Sequence, residues 1–369
     1  MDKNFITLNQ EGLSSFSKHQ DGTITDNKGE IVLFGFERFK SQICEGDCCF
    51  LCGISQGEAE FNDEHIIPNW LLRHCNLHNL KITLPNDTPI PYRSYTLRCC
   101  EECNSFLGRE IETPLSENIT KGYEAVSEYV SNGGMWKVFL WLNLIFLKTH
   151  LKDSKLRLHR DLRKGDDPIS VDYEWGYLHH IHCMVRAIKT GINIDPKCFG
   201  SLCILPAKTL KDRGDFDYKD MFISNTVLLQ IEDIAFIAVL DDCCAALNVF
   251  GQQLHKISGK LSPIQIREVM SHFAYINLLL KERPVFQTVW RFDESEFVIT
   301  AEIPEKCELD YDIETRMEDI LAFNMHDFFG KIQFKNGELF SLESIEKGKS
   351  GFLFDERGDF VSDSMDTLE

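Results

Sequence analysis

The sequence lacks the segments that mark an exported or membrane-spanning protein. Its first residues, Met1-Asp2-Lys3, are not part of a basic stretch followed by an apolar one, so no signal peptide is indicated. The longest apolar stretch, residues 135–147, contains Lys137 and is shorter than the roughly 20 residues that cross a bilayer. We therefore expect a cytoplasmic protein without a membrane role, in which residues 135–147 form a buried helix.

Positive charge is also scarce. The chain has 39 Lys and Arg against 58 Asp and Glu, a net charge of −19, which excludes a protein that coats nucleic acid over its whole surface but allows a local basic groove. Positive charge is concentrated in residues 148–164, where the segment is either a solvated helix and turn or a set of phosphate contacts. The candidate contacts are Lys148, Lys152, Lys155, Arg157, Arg160, Arg163 and Lys164.

Cysteine, in contrast, is plentiful and clustered. Of the 14 cysteines, eight lie between Cys44 and Cys103, and without an export signal such clustering favours metal binding over disulfides. Two CxxC pairs stand out, Cys49 with Cys52 and Cys100 with Cys103, and they predict a closed four-thiolate zinc site. Such a site has no open ligand position, so this zinc is expected to be structural.

The neighbours of the two pairs leave some choices open. Gly53 directly follows the first pair and suits the tight turn of a zinc knuckle. Cys48 and Cys99 adjoin the pairs with less suitable spacing and are either packing residues or alternate ligands.

Polar residues of a second kind surround the second pair. An acidic residue and a histidine, Glu64-His65, precede Ile66-Ile67-Pro68, and Asn104 follows the second pair at once. His65 on its own could be structural, and Asn104 could simply cap a helix. Glu112 lies eight residues beyond Asn104, on nearly the same face of a continuous helix, and is either a further ligand or a solvated helix residue.

This order of motifs is similar to that of the HNH, or ββα-metal, endonucleases of the zinc-containing branch. The resemblance covers residues 49–112 and implies that His65 is the general base. It also implies that Glu64 and Asn104, with Glu112 as an added ligand, hold a catalytic Mg²⁺ or Mn²⁺. Two features depart from the family: many members have Asp at the position of Glu64, and the family's middle Asn is missing from residues 93–97.

The expected fold class is α+β, with a zinc-stapled HNH core followed by a larger mixed domain. We expect a lead-in at 1–40, the nuclease domain at 41–115, a helical region at 116–165 and an accessory or regulatory domain at 166–369. The expected function is phosphodiester hydrolysis in nucleic acid, with DNA favoured over RNA as the substrate. A role in bacterial anti-phage defence follows by family analogy only, and a protein partner or a homo-oligomer is left open. The competing interpretation is a non-catalytic zinc module for protein or nucleic-acid recognition.

Outside the motifs, local patterns predict several elements. The segment 113–151 is expected to be helical, and residues 202–205, 226–231 and 235–240 to be strands. Ser262, Pro263 and Gln265 together predict the capped start of a helix that runs to about residue 281.

Overall fold

A computed structural model describes residues 16–209, 216–292, 294–334, 337–346, 351–362 and 365–367. Within them the fold is mixed α+β, as the sequence predicts, while the first 15 residues of the predicted lead-in lie outside the described residues. The strands are β1 (Phe16–Lys18), β2 (Ile24–Asp26), β3 (Ile31–Leu33), β4 (Phe61–His65), β5 (Lys81–Thr83), β6 (Pro89–Pro91), β7 (Thr96–Cys100), β8 (Asn193–Ile194), β9 (Leu202–Pro206), β10 (Phe216–Met221), β11 (Thr226–Ile231), β12 (Ile234–Val239), β13 (Val285–Arg291), β14 (Glu296–Glu302), β15 (Ile332–Phe334) and β16 (Met365–Thr367). The helices are α1 (Phe36–Arg38), α2 (Asn69–His74), α3 (Glu101–Leu107), α4 (Thr113–Ile119), α5 (Tyr123–Tyr129), α6 (Met135–Asp153), α7 (Gly176–Thr190), α8 (Ala245–Leu254), α9 (Pro263–Leu279), α10 (Met317–Met325) and α11 (Leu342–Glu346).

The chain forms two compact units, and each is assembled from three separate segments. The cysteine unit comprises Met1–Thr120, Gly134–Cys198 and Phe286–Ala301, and the sheet unit comprises Lys121–Gly133, Phe199–Val285 and Glu302–Glu369. The sequence instead predicts contiguous domains at 1–40, 41–115, 116–165 and 166–369. One reason for the difference is that β8 pairs in parallel with β14, which brings residues 193–194 beside residues 298–299. No local pattern signals a pairing across so long a stretch of chain.

The cysteine unit is centred on helix α6. Its side chains from Val138 to Leu151 are buried on every face, as the uninterrupted apolar pattern of residues 135–147 predicts. Among the described residues, no helix combines the length and apolar character required to cross a bilayer.

The prediction that residues 113–151 are helical is confirmed, and the chain also breaks twice within this segment. Gly122 has φ +90° and Gly133 has φ +95°, a left-handed conformation that glycine adopts without the steric penalty of a side chain. The helical segment therefore consists of three α-helices, α4, α5 and α6.

An antiparallel strand pair and a helix carry the second cysteine pair and the polar residues Glu64, His65 and Asn104. β4 and β7 pair antiparallel, with His65 opposite Thr96 and Phe61 opposite Cys100. α3 begins directly after β7 and is followed by a wider π-helical segment, Gly108–Glu112. The strand–strand–helix arrangement therefore joins the second cysteine pair to the strand that carries Glu64 and His65.

The sheet unit contains a four-stranded antiparallel sheet in the order β10-β11-β12-β9. β11 and β12 are buried at every position, and α9 packs on them. The predicted capping box is confirmed: Ser262 Oγ accepts from Gln265 N and Gln265 Oε1 accepts from Ser262 N. Gln265 also donates to the carbonyls of Phe352 and Val361, so the cap helps to anchor the chain beyond α11.

Candidate metal centre

The side chains of Cys49, Cys52, Cys100 and Cys103 converge on one point. Their sulfur atoms all lie within 4.8 Å of one another, and Cys52 Sγ lies 3.7 Å from Cys100 Sγ. A tetrahedron with zinc–sulfur bonds of about 2.3 Å has an edge of about 3.8 Å. The four thiols therefore fit a zinc ion in both donor type and spacing, and no open position is left for a substrate. Hydrogen bonds from neighbouring thiols, that of Cys103 first, lower the pKa of Cys49, whereas the hydrogen bond with Cys49 raises the pKa of Cys103. Zinc binding would therefore have to displace protons from this cluster.

Backbone geometry shapes the first cysteine pair. Gly53 N donates to Cys49 O at 2.8 Å, and Gly53 has φ +78°. A Cβ at this position would stand 2.6 Å from Cζ of Phe34, so the turn after Cys52 requires glycine. The second pair needs no special turn, because Cys100 ends β7 and Cys103 lies in the first turn of α3.

Helix α7 supports the cluster with side chains that the sequence analysis did not identify. Lys189 Nζ donates to Cys103 Sγ at 3.1 Å and to Glu102 Oε1 at 2.8 Å. Arg186 is buried and donates to the carbonyls of Leu51, Val32 and Ile31. A zinc with four thiolates carries two negative charges, so the two cations of α7 offset it. In the sequence, these contacts are indicated only by positive charge on an amphipathic helix. That pattern does not predict which residues the two cations contact.

The contacts of Cys48 and Cys99 bear on whether each is a packing residue or an alternate zinc ligand. Cys48 Sγ donates to Gln42 O at 3.0 Å and is engaged by the backbone. Cys99 Sγ lies 3.8 Å from Cys49 Sγ and is buried, so it packs directly against the four-cysteine cluster. The hydrogen bond with Cys49, followed by burial, raises the pKa of Cys99, which favours the neutral thiol at this position.

Glu64 has a cationic partner of its own. Lys148 Nζ donates to Glu64 Oε1 and to His65 O, each at 2.7 Å. The Lys148 side chain is fully buried, and that of Glu64 is 10 % exposed. The expectation that Lys148 contacts phosphate is therefore wrong, because its ammonium lies inside the unit and bridges β4 to α6.

The Glu112 carboxyl interacts with the charges of both Glu64 and Lys148. Burial raises the pKa of Glu112 to about 7, against the lowering effect of the Lys148 ammonium. Its Oε1 is buried without a hydrogen-bond partner among the described residues. The π-helical segment Gly108–Glu112 changes the phase of the helix, so the regular α-helical repeat expected from the sequence does not relate Glu112 to Asn104.

His65 ends strand β4 and is half-buried. Burial lowers the pKa of His65, while the nearby Glu64 carboxylate raises it to a lesser extent. The backbone of Arg93 hydrogen-bonds the ring, which gives the segment 93–97 a contact with His65 despite its lack of asparagine. A histidine with a lowered pKa is neutral at neutral pH and can accept a proton.

Asn104 lies on α3 and contacts β4 at a different point from His65. Its Nδ2 donates to Asn62 Oδ1 at 2.7 Å. Side chains alternate along a strand, so Asn62 and Glu64 share one face of β4 and His65 lies on the other. Asn104 therefore approaches the Glu64 face. The carboxylate and amide oxygens of Glu64, Glu112 and Asn104 suit a hard divalent cation by type, although Glu64 is already paired with Lys148.

The rest of the basic segment is more exposed, and much of it has local partners. Lys152 is half-buried, and burial lowers the pKa of its ammonium. Lys155 donates to Gly46 O, Arg157 to Gly165 O, and Arg160 to Thr88 Oγ1. The remaining candidates, Arg163 and Lys164, are exposed, and Arg163 pairs with Asp161 two residues away.

Comparisons with known protein families, curated proteins and solved structures found no match.

Proposed function

We propose that the chain is a metal-dependent endonuclease of the HNH type that hydrolyses phosphodiester bonds in nucleic acid. DNA is the favoured substrate, and RNA is the alternative. The observation that carries the proposal is the junction of β4 and α3 beside the cysteine cluster. The Asn62–Asn104 hydrogen bond joins the strand of Glu64 and His65 to the helix of Asn104. The structural zinc would tie that helix to the first cysteine pair, so the candidate site sits on a stapled scaffold.

In this proposal each polar residue has a distinct task. His65, kept neutral by partial burial, accepts a proton from the water that attacks the phosphodiester. Glu64, Asn104 and Glu112 would hold a hard divalent cation, Mg²⁺ or Mn²⁺. The chemistry that such an ion supplies is polarisation of the scissile phosphate and stabilisation of the leaving 3′-oxygen.

A second candidate function has one observation in its favour. Lys148 already neutralises Glu64 inside the unit, as expected of a core that has kept its scaffold without a catalytic ion. The chain would then be a zinc module that recognises nucleic acid or protein without cutting.

A plasmid-nicking assay with Mg²⁺ or Mn²⁺ separates the two functions, using the zinc-loaded full chain. His65→Ala should lower the cutting rate by about 100-fold or more, since general-base catalysis contributes roughly 10²–10⁴-fold. His326→Ala is the matched control, because this imidazole is exposed and belongs to the sheet unit. Equal cutting by wild type and His65→Ala would refute the proposed base, and wild-type binding without cutting of DNA or RNA would favour the zinc module.

A further inference from the structure

The Lys148 ammonium occupies an unusual place for a lysine. It lies within α6 among residues that are buried on every face of the helix. An ammonium has three donor hydrogens, and Nζ uses two on Glu64 Oε1 and His65 O. A buried ammonium remains charged only when a nearby anion compensates for the lost water. Glu64 supplies that anion, so the pair is a salt bridge within the core rather than a surface contact.

The cluster of Glu64, Glu112 and Lys148 contains two carboxyl groups and one ammonium. Glu112 is electrostatically coupled to both Glu64 and Lys148, and its Oε1 has no hydrogen-bond partner among the described residues. One ammonium therefore serves two carboxyl groups. It can neutralise Glu64 fully, but it leaves an ionised Glu112 uncompensated. A divalent cation would balance both carboxylates, and its preferred oxygen ligands are already present.

We propose that Lys148 is an internal counter-ion that competes with a hard divalent cation for Glu64 and thereby weakens the binding of that ion. The proposal rests on the proposed function for the class of ion, Mg²⁺ or Mn²⁺. An ammonium and a divalent cation cannot both contact the buried Glu64 carboxylate without strong repulsion in a low-dielectric interior. Binding of the ion therefore requires the ammonium to withdraw from Glu64. Lys148 is in this view a regulatory residue that keeps the site at low metal affinity.

The test is Mn²⁺ binding to the zinc-loaded full chain without nucleic acid, measured from the electron paramagnetic resonance signal of free Mn²⁺. Lys148→Met removes the charge and keeps a side chain of similar length. It should bind Mn²⁺ at least tenfold more tightly than wild type. Lys137→Met is the matched control on the same helix, because Lys137 Nζ lies over the Trp136 ring, 5.4 Å from its centroid. It should bind Mn²⁺ as wild type does.

The double variant Glu64→Gln/Lys148→Met identifies the carboxylate that is released. It should lose the gain in affinity that Lys148→Met shows. Equal or weaker Mn²⁺ binding by Lys148→Met would overturn the proposal. A gain that persists in the double variant would also overturn it, because the ion would then be bound elsewhere.

Lys148→Met leaves Glu64 without its counter-ion and can therefore destabilise the fold. Thermal unfolding with and without Mn²⁺ keeps the test decisive, because an ion that binds only the folded state raises its stability. Mn²⁺ should raise the melting temperature of Lys148→Met more than that of wild type, or restore its folding. A variant that Mn²⁺ neither stabilises nor restores would refute the competition.

The outcomes for the inference and for the proposed function are distinguishable. Tighter Mn²⁺ binding by Lys148→Met without any cutting of nucleic acid would uphold the competition and defeat the nuclease. Cutting by wild type with no gain in Lys148→Met would do the reverse.

Discussion

Replacing Glu112 by glutamine measures how the buried Glu112 carboxyl changes the stability of the fold with pH. The ordinary pKa of a glutamate carboxyl is 4.5, and that of Glu112 is raised to about 7 by burial. The folded chain therefore binds the Glu112 proton more tightly than the unfolded chain. The stabilising contribution of this proton is complete below about pH 4.5 and is lost as the pH rises through about 7. Glutamine resembles the neutral acid at every pH, so Glu112→Gln should become more stable than wild type as the pH rises.

The size of this effect follows from the shift in pKa. At about 1.4 kcal/mol per pKa unit, ionisation of Glu112 in the folded state costs about 3 kcal/mol. About 2 kcal/mol of this cost develops between about pH 5.5 and pH 8. In this range the Glu112 carboxyl is largely ionised in the unfolded chain but becomes ionised only gradually in the folded chain. The nearby Lys148 ammonium already lowers the pKa, so its effect is included in the estimate.

Urea unfolding followed by tryptophan fluorescence is the assay. The chain has five tryptophans, and all of them lie in the segments of the cysteine unit, so the signal reports on the unit that contains Glu112. Glu110→Gln is the matched control, because the Glu110 side chain is 42 % exposed and pairs with Arg109. A stability difference between Glu112→Gln and wild type that stays constant across this pH range would refute the reasoning.

Three further predictions address the metal centre and the sheet unit. Metal analysis of the wild type should find about one zinc per chain. Cys100→Ser should lose this zinc, whereas Cys307→Ser should keep it because Cys307 is exposed and outside the four-cysteine cluster. A wild-type chain without zinc would contradict the assignment. Lys189→Met should make zinc loss to a chelator roughly tenfold easier, since a hydrogen bond to a charged group contributes about 1.5–3 kcal/mol; unchanged retention would exclude this role. Ser262→Ala should cost about 1 kcal/mol through the lost cap, measured by hydrogen exchange along α9, where unchanged exchange would count against it.

Local chemistry made part of the structure predictable. The CxxC spacing predicts that each pair of sulfurs faces one point, and the four sulfurs do converge. The cap at Ser262 and the apolar strands β11 and β12 were equally readable, because each depends on residues a few positions apart. The HNH assignment, the catalytic role of His65 and the bound divalent ion stay predictions.

Long-range pairings account for what the sequence did not reveal. Lys148 was grouped with a basic segment, but it meets Glu64, 84 residues earlier in the chain. Its position directly after an unbroken apolar stretch was the available signal, since a lysine there is enclosed with the rest of the helix. Likewise, Lys189 meets Cys103 across 86 residues, and no spacing rule connects an α7 lysine to a zinc knuckle.

The interleaved segments of the cysteine unit have a consequence for synthesis on the ribosome. Its last segment, Phe286–Ala301, follows the second cysteine pair by nearly 200 residues. At roughly 5–20 residues per second, that segment emerges about 10–40 s after Cys103. Eight thiols in residues 44–103 must therefore stay reduced on a nascent chain whose unit is still incomplete. We expect zinc that binds during this interval to protect them from oxidation, so the yield of folded protein depends on the zinc supply during translation.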